Sequence, residues 1–471
     1  MYRKSILFLF AIVVIGFLLR IYNLSNLPMY GDELTMVYDT YSILKTGKDS
    51  TGQTLPITFR MGAGRPGGYI YASIPFVYLF GPTEWGIRSL SVLSSLGIII
   101  LMFFLGKKLF SEKIGLTASF LASISIWDIY LARGGFEAHF ALFLALLGIT
   151  TFIYGKYIPW AIAWGLTIFT YPTFKLTLPL IFLLLVWFNG AKNVIKNKIF
   201  IVSLVILALF GGLAVRETFM GVSEQRFLSI NIFSDANLKQ QVIQLVNEER
   251  TDSTLPVFVK PIFYNKPLQY FRILLDNYTE NLSTNFLYIR GDGNPRHNPG
   301  EWGMLYLIEL PLLFVGIVNL WKKEKRSLIL LISWILITPL ATMFLNDAHG
   351  LRNALMLLPF ILVTSYALFN LPKKIAIVVA ILMMVQLIFV LERVYFLAPT
   401  KFATFWSTEA KKVALSALNN PNMSKTITLS TKKIDNVEYA YEVYAKVDPK
   451  LVQNQYGKFP KTFGNVVITD N

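Results

Sequence analysis

PMYGDELTMVYDTYSILKTG, residues Pro28 to Gly47, directly follows an opening apolar run and sets two adjacent carboxylates, Asp32 and Glu33, just beyond it. Leu34, Val37, Tyr41 and Leu44 recur on one face at helical spacing. The stretch therefore predicts an amphipathic helix lying along a bilayer surface rather than crossing it. Two readings of its acids stand side by side. In one, Asp32 is an N-cap, Glu33 sits near the positive helix end and Gly47 is the stop. In the other, the pair carries chemistry at the membrane surface, and the placement of the remaining charges favours this one.

Of 471 residues, 54% are hydrophobic and 15% charged, against about 25% charged in ordinary soluble domains. Apolar runs of about 18 residues recur along the chain, which predicts an all-α polytopic membrane protein with about 11 transmembrane helices. The spans read as 5–22, 86–106, 114–131, 137–155, 157–171, 174–188, 199–214, 303–320, 327–345, 352–369 and 375–391. A formal charge of +16 could suit nucleic acid, but Lys and Arg crowd the short loops between spans, so no nucleic-acid partner is expected. The absence of cysteine excludes disulfides, thiolate metal sites and cysteine nucleophiles.

Charge bias orients the spans. MYRK flanks the first, and no small-residue cleavage signal follows, so it reads as an anchor rather than a removed signal peptide. With a cytoplasmic N-terminus, the inner loops carry Arg3, Lys4, Lys107, Lys108, Lys113, Lys156, Lys192, Lys196, Lys198, Lys322, Lys323, Lys325, Arg326, Lys373 and Lys374. The short outer loops carry only Arg133, Lys175 and Arg352. This predicts an integral plasma-membrane protein whose residues 1–391 form a transmembrane catalytic domain with outer loops 23–85 and 215–302. Residues 392–471 form a small extracytoplasmic α/β domain, with a helix over 404–419, a strand TITLS (426–430) and a second helix over 437–446.

Arg88, Asp128, Arg133, Glu137, His139, Lys175, His349 and Arg352 all fall at outer span ends, and Glu309 alone sits deeper. Snorkelling and local ion pairs such as Asp128–Arg133 account for any one of them. Their shared face points to a working site at the outer boundary, because charges in hydrocarbon persist mainly for function or pairing. A carboxylate facing several cations suits transfer of a group from a lipid phosphate. Lys175, Arg296, His297, His349 and Arg352 would bind the phosphate and steady its developing charge. Arg65, in the glycine-rich GAGRPGGYIY (62–71), could also meet an anion. Asp32 or Glu33 would act as general base on an acceptor hydroxyl. Adjacent helical residues point about 100° apart, which gives the two acids different jobs.

GDE (31–33), YLARGGFEAH (130–139), YPTFK (171–175), GDGNPRH (291–297) and DAHGLRNALMLLP (347–359), in this order, resemble the GT-C fold membrane glycosyltransferases. The likeness is to the protein O-mannosyltransferase and aminoarabinose transferase family, prokaryotic branch, and it covers nearly the whole chain. It implies a polyprenyl-phosphate monosaccharide donor, inverting transfer on the outer face, and Asp32 as catalytic base with Glu33 beside it. It implies substrate- and phosphate-binding roles for Arg65, Arg88, Arg133, Glu137, His139, Lys175, Asp292, Arg296, His297, His349 and Arg352. It also implies a transfer that needs no cofactor and no metal, although Asp32, Glu33, Asp128, Glu137 and Asp292 offer oxygen ligands to a cation. Lys175 stands where relatives often carry Arg, keeping the charge without the bidentate fork. Rival readings are a transporter or lipid flippase, a ligase or polymerase using a diphosphate-linked oligosaccharide, and a scaffold. A transporter would place ionisable groups near the midplane, where these spans are almost bare. The acceptor (protein, lipid or glycan) and the sugar are not encoded legibly. The sequons at 277–279, 281–283 and 422–424 are too common a pattern to signal anything.

Overall fold

The computed structural model describes residues 2–61, 64–220, 232–345, 348–420 and 426–470. Gly62, Asp347 and the sequon at 422–424 lie outside them. Helices underlie each expected span, but their lengths differ. Among the described residues, five helical segments are long and apolar enough to cross a bilayer: Lys4–Ile21, Glu84–Leu109, Lys198–Glu217, Lys325–Thr342 and Lys373–Lys401. The first lies within helix α1 (Tyr2–Ile21), whose Leu7, Phe8 and Phe10 are exposed as on a lipid-facing surface.

The expected span 114–131 is broken into α5 (Glu112–Ile124) and α6 (Ile126–Ala132), bent by 55°. Ser125 causes the break by capping a new helix, its Oγ accepting from the Asp128 amide at 3.3 Å. Glu137–Ile153, Tyr157–Ile168, Phe174–Asn189 and Ala354–Asn370 are apolar but shorter than a full crossing, so the chain is an integral membrane protein whose helices do not resolve into eleven equal spans. The expected span 303–320 starts late, at Glu309. Residues 304 and 305 instead bond to 286 and 287, Leu305 N donating to Leu287 O at 2.8 Å. Gly303 permits that approach, since a Cβ there would lie 2.2 Å from the Tyr288 carbonyl carbon.

The stretch at 28–47 forms helix α2, Gly31–Thr46. Gly47 stops it as expected, with φ 71° and its N–H donating to Ile43 O at 2.8 Å. Its surroundings differ from the surface helix expected. Leu34, Met36, Val37, Tyr38, Asp39 and Thr40 are all buried. The apolar helix α3 (Gly68–Phe80), in the loop expected to lie wholly outside the membrane, covers one side of α2. The C-terminal segment roofs the other.

That segment contains both helices and strands, in part the α/β unit expected. Strand β3 (Ile427–Ser430) pairs in parallel with β5 (Val466–Thr469), which pairs antiparallel with β4 (Lys461–Phe463). The helices Thr408–Leu418, Val437–Tyr444 and Pro449–Asn454 accompany it. Ala410, Ala414, Val437, Ala440 and Val443 join Leu34, Met36 and Val37 in one apolar core. Polar bonds fix the register of the roof. Tyr38 Oη donates to Val447 O at 2.9 Å, and Gln453 Nε2 donates to Ser42 Oγ, Thr46 Oγ1 and Asp49 O at 3.0, 3.1 and 3.0 Å.

Two acids at this seam titrate unusually. Burial pushes the Asp39 carboxyl up to about 7 against hydrogen bonds from Ser50, and burial likewise raises Glu442 to about 7 despite Lys461. A carboxyl whose folded pKa exceeds its unfolded value of about 4 stabilises the fold fully below that value, and the contribution is lost as pH rises through the folded pKa. The thermal midpoint in detergent should therefore drop between about pH 4 and pH 7. Asp39→Asn, which keeps an oxygen for Ser50, should flatten the drop, and an unchanged slope would remove Asp39 from the account.

Candidate active site

Asp32 and Glu33 occupy the first turn of α2, and Tyr30, not Asp32, holds the cap position. Asp32 as the N-cap is therefore not what the fold contains. The two side chains part company at once: Asp32 is 53% exposed and Glu33 is 0% exposed. Glu33 is held from several directions. Arg88 grips it bidentately, Nε to Oε1 and Nη2 to Oε2, both at 2.7 Å. The Gly135 amide donates to Oε1 at 2.7 Å and the Tyr30 amide to Oε2 at 3.3 Å. The rest of the Arg88 fork donates to the carbonyls of Leu24, Leu27 and Pro28 at 2.8, 2.8 and 3.0 Å. Glu33 and Arg88 thus tie residues 24–33 to α4 (Glu84–Leu109), and neither is free to meet a substrate.

Among the described residues, Asp32 has a single cationic partner. Arg65, on strand β2 (Arg65–Pro66), donates from Nη2 to Asp32 Oδ1 at 2.6 Å and from Nη1 to Thr35 Oγ1 at 2.9 Å. Its Nε lies 2.8 Å from Glu137 Oε1, an ion pair by distance though not an aligned hydrogen bond. Burial opposes the charge of Arg65, but Asp32 and Glu137 outweigh it and raise its pKa. One buried guanidinium therefore joins the open carboxylate to the first turn of α7 (Glu137–Ile153).

Two expected phosphate contacts lie elsewhere. Asp128 does not pair with Arg133. It accepts from Arg20 Nη2 at 2.6 Å, from His139 Nε2 at 2.9 Å and from Ser95, entirely out of solvent. Arg133 instead donates to the carbonyls of Arg20, Tyr22 and Asn23 at 3.1, 2.6 and 3.1 Å. Both Arg133 and His139 therefore act as braces where α1 leaves the membrane. The sequence does not single out Arg20, because a lone cation ending an apolar run looks like an ordinary flank.

Arg296 lies beside Tyr30, and the two histidines adjoin it through Phe136. The Arg296 guanidinium lies 5.1 Å from the Tyr30 ring centroid, and its Nε donates to Phe405 O at 2.7 Å. Phe136 packs on Tyr30 at 5.8 Å and on His297 at 5.5 Å. The rings of His297 and His349 lie 4.4 Å apart. Asp292 Oδ2 sits 3.0 Å from His297 Nδ1 and 3.7 Å from His349 Nδ1. Burial pushes the Asp292 carboxyl up, but the His297 hydrogen bond and the nearby imidazoles hold it down at about 2. Burial keeps His349 well below the usual histidine range. Arg352 is half-buried in the same loop, and its charge adds to the lowering at His349. Lys175, in the first turn of α9 (Phe174–Asn189), is coupled to Glu217. Glu217 accepts from Thr58 Oγ1 at 3.1 Å, on the strand paired with that of Arg65. Lys175 thus lies on the Arg65 side of the site, away from the histidines.

Residues 66–213 match the dolichyl-phosphate-mannose-protein mannosyltransferase family. No curated protein matches the chain. ArnT from Cupriavidus metallidurans bound to undecaprenyl phosphate superposes with a TM-score of 0.54 at 12% identity, over 94% of this chain and 84% of that one. The archaeal oligosaccharyltransferase AglB from Archaeoglobus fulgidus, in complex with an inhibitory peptide and a dolichol-phosphate, gives 0.52 at 11% identity, over 94% and 63%. At such identities the likeness is one of fold. The matched stretch at 66–213 is under a third of the chain, and the architecture shared over nearly its whole length is the GT-C fold of an integral membrane protein.

Proposed function

We propose that the protein is an inverting glycosyltransferase that moves a monosaccharide from a polyprenyl-phosphate donor to a hydroxyl acceptor on the outer face of the plasma membrane. The observation that carries this reading is the contrast within the pair: Asp32 is exposed and Glu33 sealed, and the buried Arg65 guanidinium holds the exposed member. In the reaction, the acceptor oxygen attacks the anomeric carbon while Asp32 takes its proton. The bond from that carbon to the phosphate oxygen breaks and its electrons leave with the phosphate. Arg65 holds Asp32 Oδ1, leaving Oδ2 for the proton. Arg296, His297, His349 and Arg352 meet the phosphate, with Lys175 on the opposite flank. Charge accumulates on the leaving phosphate, so these contacts strengthen toward the transition state. The polyprenyl-phosphate ligands of ArnT and AglB support the lipid class of donor.

In this reading residues 1–391 form the catalytic membrane domain, and 392–471 form an extracytoplasmic unit that covers the helix bearing the base. A reporter active only in the cytosol, fused at the C-terminus, should therefore be silent. Strong cytosolic signal would invert the orientation and the site with it.

Asp32→Asn keeps the side chain's size and an oxygen for Arg65 but removes the base. Turnover should fall by at least ~100-fold, with expression, detergent stability and donor affinity little changed, whereas Arg352→Ala should weaken donor binding. Near-normal transfer by folded Asp32→Asn protein would deny Asp32 its role.

Glu33→Gln should behave in another way. It strands the buried Arg88 charge, and breaking one partner of a buried pair costs about 3–5 kcal/mol. The expected result is loss of folded protein in a detergent thermal-shift assay. A stable Glu33→Gln protein with lost turnover would transfer the chemistry to Glu33.

A further inference from the structure

We infer that Asp292, His297 and His349 form a binding site for a zinc-class divalent ion, with one coordination position left open. Ligand-capable atoms from all three lie within 4.8 Å of one another. Bonds of about 2.0–2.1 Å at a tetrahedral centre put neighbouring ligand atoms about 3.3–3.4 Å apart. The observed separations of 3.0 Å and 3.7 Å from Asp292 Oδ2 to the two Nδ1 atoms bracket that edge.

The backbone presets the carboxylate. Asp292 Oδ1 accepts from the Asn294 amide at 2.8 Å, and Oδ2 accepts from the Gly350 amide at 2.7 Å, the outer support that orients a metal ligand. Gly350 has little room to change, since a Cβ there would lie 2.8 Å from Met304 Cε and 3.3 Å from Asp292 Oδ2.

Two imidazoles and one carboxylate select zinc-class ions over magnesium or calcium, which prefer all-oxygen shells. Three protein ligands with a vacancy is the pattern of an open zinc site rather than a closed structural one. A cavity of about 560 Å³, lined by Arg290, Asn298, Trp302 and Arg393 among others, reaches the Asp292 side of the site, and neither histidine lines it. An ion here would lie against Phe136 at the edge of the proposed phosphate site, with its open position suited to a phosphate oxygen or water. This departs from the metal-free transfer that the family resemblance implies. The binding claim itself does not rest on glycosyl transfer.

The test uses full-length protein in detergent, stripped with chelator, titrated with cobalt(II) and then competed with zinc, no donor being present. We expect one equivalent bound, with the visible ligand-field bands of a four-coordinate ion that zinc abolishes. His349→Gln and His297→Gln should each weaken binding at least ~10-fold. Zinc should also raise the thermal midpoint of the wild-type protein by mass action, a readout that does not depend on variants folding. Wild-type protein with no cobalt bands and no zinc-dependent shift would overturn the site, as would a folded His349→Gln protein that binds cobalt as tightly as wild type.

Discussion

The buried bidentate pair of Glu33 and Arg88 is the fastening on which the rest depends. Two charges out of water cost several kcal/mol each unless every lone pair and donor is answered. Here the fork answers both carboxylate oxygens, two amides add to them, and three carbonyls of residues 24–28 absorb the remaining donors. With Glu33 locked inward, helical geometry swings its neighbour about 100° away. Asp32 is thereby presented at the open edge of the fold without any flexible loop to position it. One pair fixes the exit from the first membrane helix, the start of α2 and the direction of the exposed carboxylate.

A second layer of buried charge braces the same exit from below. Arg20, Asp128, His139 and Ser95 close one network, and Arg133 collects the carbonyls of residues 20–23. Above, the C-terminal segment clamps α2 through an apolar core and ties to α4 through Lys411 and Tyr444, which donate to Glu84 Oε1 at 2.7 and 2.9 Å. The open carboxylate is thus held from below by ions, from above by packing, and laterally by Arg65.

Much of this was legible in the sequence because hydropathy and charge bias act locally. The apolar runs, the Gly47 stop and the helices and strand of the tail follow from residues within a turn or two of each other. What was not legible depends on distant partners. The apolar stripe of α2 predicts a bilayer surface equally well as it predicts a protein roof, and only Val437, Val443 and Gln453, some 400 residues away in sequence, decide it. The pairing of Arg20 with Asp128 is invisible for the same reason, and the nearer Arg133 looked the better partner. Ser125 is an ordinary residue in an apolar run until it caps a new helix and splits the span. Among the candidate site residues, the types were readable, whereas the sorting into braces and exposed groups needed burial.

The most direct measurement is a cryo-electron microscopy map of the protein with a polyprenyl phosphate. The account places the phosphate on the Asp32 side of the outer face, within hydrogen-bonding reach of Arg352 or the histidines and of Arg296. Phosphate density on another face of the protein, out of reach of both Asp32 and those cations, would contradict it.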